Sequence, residues 1–151
     1  MSLNAKIALR ATVAGICLAI AGGAHAADSS DSLFGEVEID GLWRGQYICA
    51  QGVTGVDLTI ETPQDAPKGN VTALFEFYPL PENPTETGAF EMTGSFDAVD
   101  QVLILDAEAW VEQPEGWIMV GLKAAVGQRD SIMTGRIDTD GCGGIFLERM
   151  S

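Results

Sequence analysis

The feature that most limits what this chain can become is a two-residue rhythm that starts near residue 42 and recurs almost to the end. Val56–Glu61 (VDLTIE) places Val56, Leu58 and Ile60 on one side and polar residues on the other. Val71–Tyr78 does the same with Val71, Ala73, Phe75 and Phe77, and Ala89–Phe96 with Phe90, Met92, Gly94 and Phe96. Strict alternation is what a strand with one buried face looks like in sequence, because successive side chains point to opposite sides of a sheet. Five further runs complete a set of eight: Leu42–Ala50, Gln101–Val111, Ile118–Val126, Ser131–Ile137 and Ile145–Arg149. No long window repeats its apolar residues at three- and four-residue spacing, and Gly and Pro punctuate the chain throughout, so no helix competes.

The connectors between runs are short. Short connectors join antiparallel neighbours, since a parallel pair needs a crossover of a dozen or more residues. Eight antiparallel strands in sequence order predict an all-β fold, a single eight-stranded up-and-down β-barrel, with a β-sandwich as the alternative. Cys49 ends the first run and Cys142 precedes the eighth. In a closed barrel strands one and eight are antiparallel neighbours, so the end of one meets the start of the other, within disulfide reach. A Cys49–Cys142 bond would close a loop of about 94 residues and staple the seam.

The N-terminus has the order of a secretory signal peptide. Lys6 and Arg10 precede an apolar run, Ala11–Ala21, and Ala24-His25-Ala26 supplies small residues for a peptidase, placing cleavage after Ala26. The run is too short to span a bilayer comfortably, and no later stretch is long enough, so the processed protein is expected to be periplasmic or secreted, with no membrane span. An oxidising compartment favours the cysteine pair. Residues 27–38 (ADSSDSLFGEVE) read as an acidic lead-in, and residues 39–151 as the barrel domain.

Export removes His25, the only histidine, and Cys17. With Cys49 and Cys142 paired, no Ser-His-Asp or Cys-His catalysis is available in its ordinary form, and no His- or Cys-ligated zinc. There is no phosphate loop or dinucleotide fingerprint, so no cofactor is expected. Beyond Ala26 six Lys and Arg face 22 Asp and Glu, a net charge of −16. That balance argues against nucleic acid as a partner, whose phosphates would be repelled.

In an up-and-down barrel alternate connectors share an end. One end would gather Gln51–Gly55, Pro79–Thr87, Glu112–Trp117 and Asp138–Gly143. These hold Glu82, Glu86, Glu112, Glu115, Asp138 and Asp140, no Lys or Arg, and four loop-stiffening prolines, Pro79, Pro81, Pro84 and Pro114. Trp117 belongs to this group, with Trp110 and Tyr47 expected close by. The opposite end carries Lys68 and Arg129 among its acids. Barrel mouths and their loops commonly take ligands, so the acidic end is the candidate binding face, against the plainer role of keeping the protein in solution. Asp138-Thr139-Asp140-Gly141 resembles the start of a calcium loop but lacks its closing ligands; a turn at Asp140-Gly141 is expected. Trp43 and Tyr47 are candidates for a sugar-stacking platform or for the core. Arg136 shares a face with Ile132 and Thr134, and either enters the barrel towards Asp106 or Glu108 or faces solvent.

Gly41, Trp43, Gly45, Tyr47, Cys49, Gln51 and Gly52, then Phe77-Tyr78-Pro79-Leu80-Pro81, Gly116-Trp117 through Gly121-Leu122, and Gly141-Cys142 occur in an order that resembles a small β domain of exported proteobacterial proteins. Similar segments are appended to caspase-like peptidases. The resemblance implies one domain with a cysteine pair; it carries over no catalytic residue. The expected role is that of an exported, non-enzymatic binding domain whose acidic end engages a basic protein or peptide, as a lysozyme inhibitor would, or an envelope glycan. The alternatives are a lipocalin- or avidin-like carrier with a hollow core and a carboxylate glycosidase.

Overall fold

Eight strands follow one another around a closed antiparallel barrel, each hydrogen-bonded to its neighbours in sequence and the last to the first. The computed structural model describes residues 37–127 and 131–151; the expected signal peptide, most of the expected lead-in and Arg129 lie outside the described residues. The strands are β1 (Gly41–Cys49), β2 (Gly52–Glu61), β3 (Asn70–Tyr78), β4 (Gly88–Asp97), β5 (Val102–Glu112), β6 (Leu122–Val126), β7 (Ile132–Ile137) and β8 (Gly144–Arg149). The expected barrel is therefore the observed fold.

Two boundaries differ from expectation, and both bear on the mouth. Gln51–Gly55 is not a connector. Cys49 pairs with Gly52, and β2 starts at once after a two-residue turn of Ala50 and Gln51. Positive φ at Gly52 (100°) makes so tight a reversal possible. Ile118–Gly121, in contrast, is not strand. β6 begins only at Leu122, and residues 113–121 form a loop.

The alternating apolar residues point inward and fill the barrel. Trp43, Phe75, Phe90, Met92, Leu105 and Leu147 are all buried. Phe75 and Phe90 stack with centroids 4.8 Å apart, and Tyr47 meets Phe75 edge-on at 5.3 Å. Burying each such side chain contributes about 1.5–3 kcal/mol. Trp43 belongs to this core and is no surface platform. Its indole N–H donates to the Ile39 carbonyl at 2.8 Å, which draws the segment before β1 across the end of the barrel remote from the mouth. Arg149 closes the same end, with its guanidinium 5.1 Å from the Trp43 ring and donating to the Glu38 carbonyl.

β1 and β8 pair from Trp43↔Arg149 to Tyr47↔Ile145. A Cβ on Gly45 would stand 1.9 Å from the Phe146 carbonyl oxygen, so the two backbones approach more closely there than any side chain permits. Cys49 and Cys142 are bonded just beyond the last of these pairs. Outside, Arg44 on β1 holds Asp57 on β2 with two hydrogen bonds of 2.8 and 2.6 Å, and the Tyr78 hydroxyl donates to Asp57 at 3.2 Å. The Arg44 hydrogen bonds and charge keep the Asp57 carboxyl below its usual range, although partial burial opposes this. Arg136 is exposed, not drawn inside, and lies 3.5 Å from Asp138 rather than reaching Asp106 or Glu108. A charged guanidinium gains nothing by entering an interior filled almost wholly by apolar side chains.

Candidate binding site at the barrel mouth

The mouth is shaped first by an irregularity in β5. Its pairing with β4 slips at Ala89/Phe90 and again at Glu91/Met92. Leu103 and Leu105 face inward by simple alternation, which taken further would turn Trp110 outward. The bulges re-aim it. Trp110 instead packs edge-on against Phe90 (5.4 Å) and Phe77 (6.4 Å).

Trp117 completes the closure. Its ring stacks on Phe77 with centroids 4.5 Å apart and planes 15° from parallel. The loop holds it there through its own backbone: Trp117 N–H donates to the Pro114 carbonyl at 3.3 Å, and Gln113 Nε2 donates to the Trp117 carbonyl at 3.4 Å. Phe77 and Pro114 press so close to Gly88 that a Cβ there would lie 2.4 and 2.8 Å from them. The barrel therefore ends in an aromatic plug with its outer side facing the loops.

On that side lies a half-open cavity of about 390 Å³. Its walls come from three elements. β1 and its turn give Tyr47, Cys49, Ala50 and Gln51; the β5–β6 loop gives residues 115–118 and Val120; the β7–β8 connector gives Asp140 and Cys142. The disulfide is thus a wall of the cavity as well as a staple. Ile118 is 67% exposed, and Glu115 and Asp140 stand at the solvent edge. No lining residue is a Lys or Arg.

The cavity floor is polar but neutral. Gln51 Nε2 lies 3.4 Å from the Tyr47 hydroxyl and 3.3 Å from Thr54 Oγ1. Thr54 is the one buried polar residue recorded among the described residues. Burial pushes the Tyr47 phenol up to about 12, so it stays protonated at any ordinary pH.

Of the nine candidate ligand residues, Tyr47, Glu115, Trp117 and Asp140 meet at this cavity. Trp110 does not line it, and packs instead against Phe77, on which Trp117 stacks. Glu82, Glu86 and Glu112 are exposed and line no part of it. Glu82 sits at the tip of a tight reversal in which Leu80 and Asn83 exchange hydrogen bonds of 3.1 and 2.9 Å. Asp138 lies with Arg136 on the outer flank, so its charge is not uncompensated. Asp140-Gly141 forms the expected turn: Cys142 N–H donates to the Thr139 carbonyl at 3.1 Å, with Gly141 at φ 81°. No group of three or more potential metal ligands occurs among the described residues.

Sequence reasoning passed over Gln51, Ile118 and Asn83. Asn83 Nδ2 donates to the Gln51 and Val53 carbonyls at 3.0 and 2.8 Å and so pins the β1–β2 turn that carries Gln51. A polar residue 32 positions away gives no local signal of that contact. Compared with known proteins, the chain is matched by no family model and by no curated protein.

Proposed function

We propose that this protein is a binding domain whose acidic mouth engages a basic protein or peptide, acting as a lysozyme inhibitor would. One observation carries the reading: a cavity with an apolar wall of Trp117, Ile118 and the disulfide, edged by Glu115 and Asp140 and lined by no cation. Lys and Arg side chains have the matching form, an apolar stem that ends in a charge. Complementary charge would mainly speed encounter and exclude wrong partners.

Two further observations favour this over the rivals. The packed interior of Trp43, Phe75 and Phe90 supports a surface site rather than a carrier's hollow core. The exposed Glu115 and Asp140 lack the apolar enclosure that turns a carboxyl into a general acid, which supports binding over hydrolysis. An envelope glycan remains the second partner class, favoured by the Trp117 ring beside hydrogen-bonding carboxylates.

The test is titration calorimetry of the oxidised protein with lysozyme, paired with a lysis assay. Affinity should fall about tenfold or more between low and high salt, and again in the Glu115→Gln, Asp140→Asn double variant. Binding indifferent to both changes, or lysis unchanged at excess protein, would sink the proposal.

A further inference from the structure

We propose that the mouth cavity is a socket for a single arginine side chain projecting from the basic partner. This deepens the reading given above and rests on it, since it names the group that the acidic mouth recognises. Space comes first. The half-open cavity of about 390 Å³ has room for one long side chain entering from the loop side.

Chemistry then separates arginine from lysine. A guanidinium is flat, weakly hydrated and carries five donors in a fixed fork; an ammonium is a compact, strongly hydrated point charge. The cavity offers what a flat, donor-rich cation uses. The Trp117 ring has one face stacked on Phe77 and lines the cavity, where an aromatic surface can take a cation. Glu115 and Asp140 bring carboxylates from two different loops to the edge of the cavity, and a guanidinium has several donors to offer such acceptors. Gln51 directs its amide nitrogen at Tyr47 and Thr54, which leaves its carbonyl oxygen as an acceptor. The neutral phenol of Tyr47 adds no competing charge.

The socket is also preorganised. Its walls are tied by the disulfide on one side and by Asn83 under the β1–β2 turn on the other. An arriving side chain therefore orders little of the protein, and less binding energy is lost to fixing loops.

The experiment uses the oxidised protein and three probes: Nα-acetyl-arginine amide, Nα-acetyl-lysine amide and lysozyme. The indole N–H signals of the three tryptophans are followed by NMR, with Trp117 identified by Trp117→Phe, which keeps an aromatic ring over Phe77. The arginine amide should shift the Trp117 and Gln51 side-chain signals and leave buried Trp43 still. The lysine amide should bind at least several-fold more weakly. Glu115→Gln with Asp140→Asn should weaken the arginine amide about tenfold. Both replaced residues are exposed, so the fold is retained, and an unchanged dispersed spectrum checks this. Lysozyme whose arginines are capped with a dicarbonyl reagent should lose binding, and lysozyme with acetylated lysines should keep it.

The outcomes separate the two claims. If lysozyme binds with salt sensitivity but neither amide moves Trp117, or lysine matches arginine, the socket is overturned and the acidic mouth survives. If the arginine amide binds and lysozyme does not, the socket stands and the proposed lysozyme-type partner falls. If neither binds, both fall.

Discussion

Tyr47 sits between two environments, its ring against Phe75 in the core and its hydroxyl at the floor of the mouth cavity. It is 4% exposed, and burial lifts its pKa from 10 to about 12. The sign of the consequence is fixed by linkage. The folded protein holds the phenolic proton more tightly than the unfolded chain, so this contribution is fully present below pH 10 and is lost as pH rises to about 12. Urea unfolding across that window should show stability falling more steeply in the parent protein than in Tyr47→Phe. Equal slopes would mean that the hydroxyl is wetter than its burial implies. At this scale the sequence was half legible. Trp43 and Tyr47 share a face of β1, and alternation says so. That Trp43 is enclosed while Tyr47 touches a cavity depends on how far along the barrel each lies.

β5 is the element on which the site turns. β6 covers only its first part, from Val102↔Ala125 to Leu105↔Leu122. Beyond Leu105, β5 has its β4 partner but no strand on the other side, and the 113–121 loop replaces the missing length. A half-paired strand is an invitation to aggregate unless it is blunted, and this one carries Asp106, Glu108, Glu112 and two bulges. Hydrogen exchange should therefore divide β5: amides in Val102–Leu105 protected with the core, and those in 106–112 that point away from β4 exchanging far faster. Uniform protection along the strand would mean that the loop pairs with it after all. Sequence rhythm located β5 and could not place its bulges, because Ala107, Ala109 and Val111 continue the apolar alternation of Leu103 and Leu105 straight through the stretch where the pairing slips. The same limit explains Ile118–Gly121. Ile118, Val120 and Leu122 alternate as a strand would, yet only Leu122 finds a β5 partner.

For the whole molecule the decisive bond is Cys49–Cys142, which closes 93 positions of chain and joins the seam to the wall of the mouth. Chain-entropy arguments assign such a closure about 4–5 kcal/mol. Reduction, or Cys49→Ser with Cys142→Ser, should lower the unfolding free energy by that order. It should also weaken lysozyme binding more than it loosens the remote end around Trp43. A chain as stable reduced as oxidised would show the seam to be held by its hydrogen bonds and the close packing at Gly45. The interior is apolar, whereas the outward faces of β2 to β4 carry Asp57, Glu61, Glu76 and Glu91, and apolar residues such as Ile104, Ile132 and Phe146 are exposed on other strands. A lipid-facing barrel has the reverse arrangement. The sequence by itself determined the class of fold, the number and order of strands, the core residues and the cysteine pairing. Period-two alternation, short connectors and parity around a closed ring leave little freedom in those. Only the tertiary structure decided which acids and aromatics meet. Tyr47, Glu115, Trp117 and Asp140 converge on one cavity while Glu82, Glu86 and Glu112 stay apart, because bulges, a shortened β6 and loop hydrogen bonds set those positions. Each of these depends on contacts between residues far apart in the chain, which leave no periodic trace in it.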